Sequence, residues 1–186
     1  MSYTFTQNWF HTCELNYAVM NGLFDKTKVI KILEIGSLEG SSTVYFSDHI
    51  MDHPDSKMVC IDPFDGGNPT TPMDENKTKE LFLSNIAKSK NGQKISLKEM
   101  YSGEFYKTND ETFTFIYIDG SHLVEDIKVD FVNCVKILEK GGVMWMDDYL
   151  WGDGTSIRDA VNQLYEDHKD QLTIIHKQYQ IGFRKI

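Results

Sequence analysis

LTIIHKQYQIGFR, residues Leu172 to Arg184, holds two strand-like runs with almost nothing between them. Leu172–His176 and Gln180–Arg184 are rich in β-branched and aromatic residues, and a short polar turn around Lys177 joins them. Strands connected that directly pair only as an antiparallel hairpin. Upstream the pattern changes. Short apolar runs at Val29–Glu34 (VIKILE), Met58–Ile61 (MVCI), Lys94–Leu97 (KISL), Phe113–Ile118 (FTFIYI) and Val143–Met146 (VMWM) read as buried strands. Helical patterns over Ser42–His53, Asp74–Lys88, Leu123–Leu138 and Ser156–His168 separate or follow them. Such alternation predicts an α/β fold: a mostly parallel sheet with helices on both faces. Five parallel strands and a terminal hairpin make seven strands, the last of them antiparallel.

The helical patterns name their own core faces. Leu123, Ile127, Phe131, Cys134 and Leu138 keep to one side, with Gly141 and Gly142 ending the helix. Leu81, Ile86 and Ala87 are the core positions expected of the second helix, and Ile157, Ala160, Val161 and Leu164 of the last. Before the first strand, Phe10, Cys13, Tyr17, Met20 and Phe24 recur at spacings of three and four. That segment reads as a helix packed on the sheet; the alternatives are a lid over a substrate pocket or a face that makes a homo-oligomer.

At 186 residues the chain is expected to be one domain, with residues 1–28 as a helical cap and 29–186 as the core. The formal net charge of −9 argues against a nucleic-acid partner, which would need clustered Lys and Arg. No run approaches the roughly 20 apolar residues of a membrane span. The three cysteines, Cys13, Cys60 and Cys134, are far apart and lack CxxC spacing, and a cytoplasmic chain with reduced thiols is expected.

Ligands of open α/β sheets sit beyond the carboxyl ends of the strands, so the residues just after each strand carry the functional reading. After the first strand comes Glu34-Ile35-Gly36-Ser37-Leu38-Glu39-Gly40-Ser41-Ser42-Thr43. Gly36 permits a sharp turn and close approach of a ligand, and Ser41 and Ser42 can cap the helix that follows Gly40. The spacing is not the GxGxxG of dinucleotide binding: Ser37 stands where the second Gly should be, and Glu34 precedes the loop. An acidic loop suits a cation better than a pyrophosphate. Asp62, ending the second strand, is placed to accept hydrogen bonds from ribose hydroxyls.

Asp119-Gly120-Ser121-His122 follows the fourth strand and Asp147-Asp148-Tyr149 the fifth. Three clustered carboxylates repel one another unless protonated, separated or bridged by a cation. An oxygen-only set suits Mg²⁺, Ca²⁺ or Mn²⁺, and such an ion can lower the pKa of an acceptor oxygen. His122 can then act as the general base. The plainer reading is that Asp147 and Asp148 satisfy loop N–H groups and His122 caps a helix.

LEIGSLEGSST, VCIDPF, FIYIDGSH and LEKGGVMWMDDYLW, in that order from about Val29 to the C-terminus, resemble the motifs of class I methyltransferases that use S-adenosylmethionine (SAM). They are most similar to a small-molecule O-methyltransferase subgroup that includes macrocin O-methyltransferase. The resemblance implies the Rossmann-like fold of that class and a small-molecule acceptor. It implies that Glu34, Gly36, Ser37, Gly40 and Ser41 line the methionine and ribose of SAM. Asp62 would hold the ribose, Ser102 would lie near the adenine, and Asp119 would face the donor. It also implies that Asp119, Asp147 and Asp148 hold Mg²⁺ and that His122 is the base, with Asp119 beside it in catalysis. In the subgroup the acidic pair begins with Glu, one methylene longer than Asp147. Catechol O-methyltransferase has a comparable trio ending in Asn, where Asp148 stands here. Competing readings are an NAD-dependent oxidoreductase, a non-catalytic SAM-binding protein, and a methyltransferase-fold enzyme with other chemistry such as hydroxylation.

Overall fold

The C-terminal hairpin completes the sheet. The structure, a computed structural model, describes residues 2–65 and 74–186. Strands β1 (Lys31–Ile35), β2 (Lys57–Ile61), β3 (Ile95–Lys98), β4 (Phe113–Ile118) and β5 (Leu138–Met146) pair in parallel. β6 (Leu172–Lys177) and β7 (Ile181–Lys185) make the hairpin, and β7 inserts antiparallel between β5 and β6. The order is β3-β2-β1-β4-β5-β7-β6. The expected seven-stranded sheet with its antiparallel last strand is therefore the observed one.

Alternation along β4 divides the core. Phe115 and Tyr117 point to one face, with the N-terminal segment, α2 (Ser41–Ile50) and α3 (Glu75–Lys88). Ile116 and Ile118 point to the other, with α4 (Ser102–Thr108), α5 (Val124–Ile137) and α6 (Ser156–His168). Phe46 of α2 is fully buried and meets Phe115, Tyr117 and Phe10 edge-on at 5.1, 5.2 and 5.6 Å. Each such pair adds about 0.5–1.5 kcal/mol beyond the area it buries. Between β1 and β4 the strand order reverses, and this switch point opens the crevice that holds the site.

Several helical faces differ from expectation. In α5, Ile127, Phe131 and Cys134 are buried, but Leu123 precedes the helix and is exposed. Gly141 and Gly142 do not end that helix; β5 begins at Leu138, and the pair is absorbed where the β4–β5 register slips. In α3, Ile86 packs against the core as expected, but the buried residues are Thr78, Phe82 and Asn85, and Ala87 is exposed. Phe82 is drawn in because its ring packs over Gly40, and Asn85 because its amide binds the Thr4 and Glu39 carbonyls. The N-terminal segment is a 3₁₀ turn (Trp9–Thr12) followed by α1 (Glu14–Met20). It packs on the sheet as expected, but through Phe10, Leu15 and Val19, leaving Tyr17 and Met20 exposed. The described residues contain no helix long and apolar enough to cross a membrane.

Candidate active site

At the switch point the β1–α2 loop is fitted to the end of β4. Gly36 and Gly40 both adopt φ values that side chains rarely tolerate, +82° and +83°. A Cβ on Gly36 would lie 2.0 Å from the Asp119 carbonyl oxygen, so the missing side chain makes room for the backbone just after β4. Asp119 N–H donates to the Ile35 carbonyl at 2.8 Å, which locks the two strand ends together. Gly40 itself is the cap residue of α2, so Ser41 and Ser42 lie inside the helix and do not cap it.

Glu34 is fully buried beneath this loop. Its Oε2 accepts hydrogen bonds from Ser37 Oγ at 2.7 Å and from Thr43 Oγ1, and its Oε1 has no partner. Burial pushes the Glu34 carboxyl above its usual range. Asp62 accepts the N–H groups of Ser37 and Leu38 at 2.8 and 2.9 Å and of Phe64 at 2.7 Å. Burial raises its pKa despite those three amides. Ser102 starts α4, on the side of Asp130 of α5.

The acidic residues do converge, though not as a symmetric trio. Burial raises the Asp119 carboxyl well above the normal range, reinforced by Asp147, Asp148 and Glu34. Tyr117 bridges, donating its hydroxyl toward Asp119 Oδ2 at 3.3 Å and Asp147 Oδ1 at 3.0 Å. Asp147, pushed up to about 6 chiefly by burial, faces away toward Gln180 and Cys13. His122 Nε2 lies 2.6 Å from Asp148 Oδ2, and Trp151 stacks on its imidazole at 4.3 Å and 13°. One atom each from Asp119, His122 and Asp148 falls within a 4.8 Å group. A cation placed there would meet a nitrogen as well as oxygens, unlike the oxygen-only set expected. Among the described residues no Lys or Arg pairs with Glu34, Asp119, Asp147 or Asp148.

A cavity of about 290 Å³ opens beside Asp147, lined by Trp9, Cys13, Glu14, Asp147, Tyr179 and Gln180. The β6–β7 turn supplies its far wall, and Tyr179 donates its hydroxyl to Asp148 Oδ1 at 3.0 Å. Glu14 accepts the backbone N–H of Gln180 at 3.1 Å and sits 2.6 Å from His176 Nε2.

The sequence matches the family described as methyltransferase domain over residues 33–149, the stretch that carries Glu34, Asp62, Asp119, His122, Asp147 and Asp148. The chain belongs to this methyltransferase-domain family. No curated protein matches the sequence. Among solved structures, the methyltransferase is similar to the O-methyltransferase TomG from Streptomyces achromogenes, involved in tomaymycin synthesis and bound to SAM. That match has 17% identity and a TM-score of 0.64, covering 91% of this chain and 76% of that one. It is similar to an O-methyltransferase from Bacillus cereus in complex with SAH, with 17% identity and a TM-score of 0.67, covering 100% and 84%. It is also similar to the N-methyltransferase NodS from Bradyrhizobium japonicum, with 17% identity and a TM-score of 0.61, covering 97% and 99%. At such identities the likeness is one of fold.

The N-terminal part of the cavity lining was expected, and the β6–β7 part escaped the sequence reading. The sequence itself points to an acceptor pocket formed by the N-terminal segment, the loop from Asp65 to Asp74 and the stretch after Asp148, with Phe64, Tyr149 and Trp151 as an aromatic rim. Residues 66–73 of that loop lie outside the described residues. Phe64 and Tyr149 are buried, the first against Phe82 and the second bonded to Asn162. Trp151 alone of the three is at the surface. The aromatic residues at the cavity are Trp9 and Tyr179, and Glu14 and Gln180 accompany them. The only signal for Tyr179 and Gln180 was the hairpin turn itself, which had to fold back somewhere.

Proposed function

We propose that this methyltransferase transfers a methyl group from SAM to a hydroxyl oxygen of a small molecule. One observation carries the reading: a buried, unpaired Glu34 oxygen beside acidic groups for which no Lys or Arg compensates. A cationic ligand is what such a site lacks, and pyrophosphate would be repelled there. SAM brings an ammonium and a sulfonium, and when bound it supplies an electrophilic methyl group. Glu34, Gly36, Ser37, Gly40 and Ser41 would hold its methionine and ribose side, with Asp62 toward the ribose, Ser102 toward the adenine and Asp119 facing the donor. The acceptor would enter through the cavity beside Asp147, over which the N-terminal segment would form a cap. The free thiols Cys13, Cys60 and Cys134 fit a reducing cytoplasmic setting.

The acceptor proton must leave for the oxygen to attack. His122 is the group proposed to take it, with Asp148 orienting its ring through Nε2 and Trp151 fixing the ring plane. Asp119, Asp147 and Asp148 are proposed to hold a divalent cation, Mg²⁺ first, which would supply Lewis acidity at the acceptor oxygen. The convergence of His122 with Asp119 and Asp148 favours a second reading, in which His122 is itself a ligand and the ion is softer, such as Mn²⁺. The test is methyl transfer from labelled SAM to a panel of hydroxylated acceptors. EDTA should abolish turnover and Mg²⁺ restore it. His122→Ala should lower turnover roughly a hundredfold while leaving affinity for S-adenosylhomocysteine (SAH) unchanged. Turnover that survives EDTA removes the metal from the account. Restoration by Mn²⁺ but not Mg²⁺, with His122→Ala weakening Mn²⁺ binding, moves His122 from base to ligand.

A further inference from the structure

Gln180 is the last residue of the hairpin turn, just before β7, and is 2% exposed. Its Oε1 accepts two hydrogen bonds, from Leu15 N–H and from the Trp145 indole, both at 2.9 Å. Two donors on one oxygen fix which end of the amide is which, because an NH₂ group in that place would meet two N–H groups and leave them unsatisfied. The Nε2 end is therefore forced toward Asp147 Oδ1 and Cys13 Sγ, and it donates to both. Leu15 lies in the first turn of α1 and Cys13 precedes the helix, so one side chain joins the N-terminal segment, the C-terminal end of β5 and an acid of the site. Glu14 ties the same corner from outside, accepting the Gln180 backbone N–H.

Resting on the reading that Asp147 belongs to the active site, we propose that Gln180 is a positioning residue that makes docking of the N-terminal segment and orientation of the Asp147 carboxylate one event. The segment walls the cavity beside Asp147 through Trp9, Cys13 and Glu14. Seating it brings the Leu15 N–H onto Gln180 Oε1, and that contact holds Nε2 on Asp147. An open segment takes the Leu15 N–H from Oε1 and leaves the Trp145 indole alone to hold the amide, while Asp147 keeps the Tyr117 hydroxyl. Both ends of the Gln180 amide are fully engaged only when the acceptor cavity has its wall.

The experiment uses the full chain and four variants: Gln180→Met, Gln180→Glu, Asp147→Asn, and Gln180→Glu combined with Asp147→Asn. Three quantities are read: amide hydrogen exchange over residues 9–20, the indole N–H resonance of Trp145 (assigned with Trp145→Phe), and SAH affinity by calorimetry. Gln180→Met removes both ends of the link; exchange over residues 9–20 should quicken at least tenfold and the indole resonance should move. Gln180→Glu keeps an acceptor for Leu15 and Trp145, so the indole resonance should stay, but it sets two carboxylates face to face. Its exchange should quicken at least threefold. In the double variant the amide and the carboxylate have changed places, and exchange should return to within twofold of the wild type. A merely packed side chain would show no such rescue. Exchange unchanged in Gln180→Met, or a double variant no better than Gln180→Glu, overturns the assignment. If those results come with SAH binding intact, only the role of Gln180 falls. A wild-type chain that does not bind SAH instead overturns the functional reading on which the proposal rests.

Discussion

The two ends of the crevice are built differently. At the end proposed for the donor, contacts join residues close in sequence: Glu34 with Ser37, three apart, and Ser37 with Asp62, twenty-five apart. At the end proposed for the acceptor, Glu14 meets His176 across 162 residues and Cys13 meets Gln180 across 167. The donor loop is also backed by backbone, since Gly36 presses on the Asp119 carbonyl. The acceptor wall hangs on side chains. The donor end should therefore be rigid and intolerant, and the acceptor end able to loosen without unfolding the sheet.

Gly36→Ala should have the largest effect. The added Cβ would meet backbone at 2.0 Å at a φ of +82°, so neither neighbour can yield cheaply. A loss of about 3 kcal/mol or more is expected, from strain plus overpacking, read as a fall in the urea midpoint. A midpoint unchanged by the substitution would show that the donor loop is not clamped to β4.

Asp130 offers an effect of similar size that depends on pH. Its carboxyl sits behind the donor end, accepting the Tyr106 hydroxyl at 3.1 Å, and burial pushes its pKa from 3.8 up to about 6. A carboxyl whose folded pKa is raised contributes stability that is full below 3.8 and lost as pH rises through about 6. Two units correspond to about 3 kcal/mol lost between pH 4 and pH 7. Asp130→Asn has no such proton to lose, so its urea stability should fall less over that range. Parallel pH curves for the two proteins would contradict the burial argument.

The smallest change belongs to the acceptor end. Glu14→Ala removes the acceptor of the Gln180 N–H and the partner of His176. The cost should be about 1–3 kcal/mol, confined to faster exchange over residues 9–20, with SAH affinity within twofold of the wild type. Equal loosening of α2 would erase the difference between the two ends.

This contrast also explains what could be read from the sequence. The strand-helix alternation, the antiparallel tail and the acids at the ends of β1, β2, β4 and β5 are properties of local pattern, and they stand in the structure where the pattern put them. Phe82 and Asn85 were missed because their burial answers to Gly40 and to carbonyls of distant residues, not to helical period. Gln180 was missed because a polar residue in a hairpin looks solvated until the 13–15 segment folds over it. Leu123 was misread because helical spacing extends past a helix end without marking it. The direction of the Asp147 carboxylate had no sequence signal at all.

Calorimetric titration of the wild-type chain with SAH and, separately, with NADH tests the central claim most directly. The account predicts saturable binding of one SAH per chain and no measurable heat from NADH. A chain that ignores SAH, or that takes NADH as well as SAH, would contradict it.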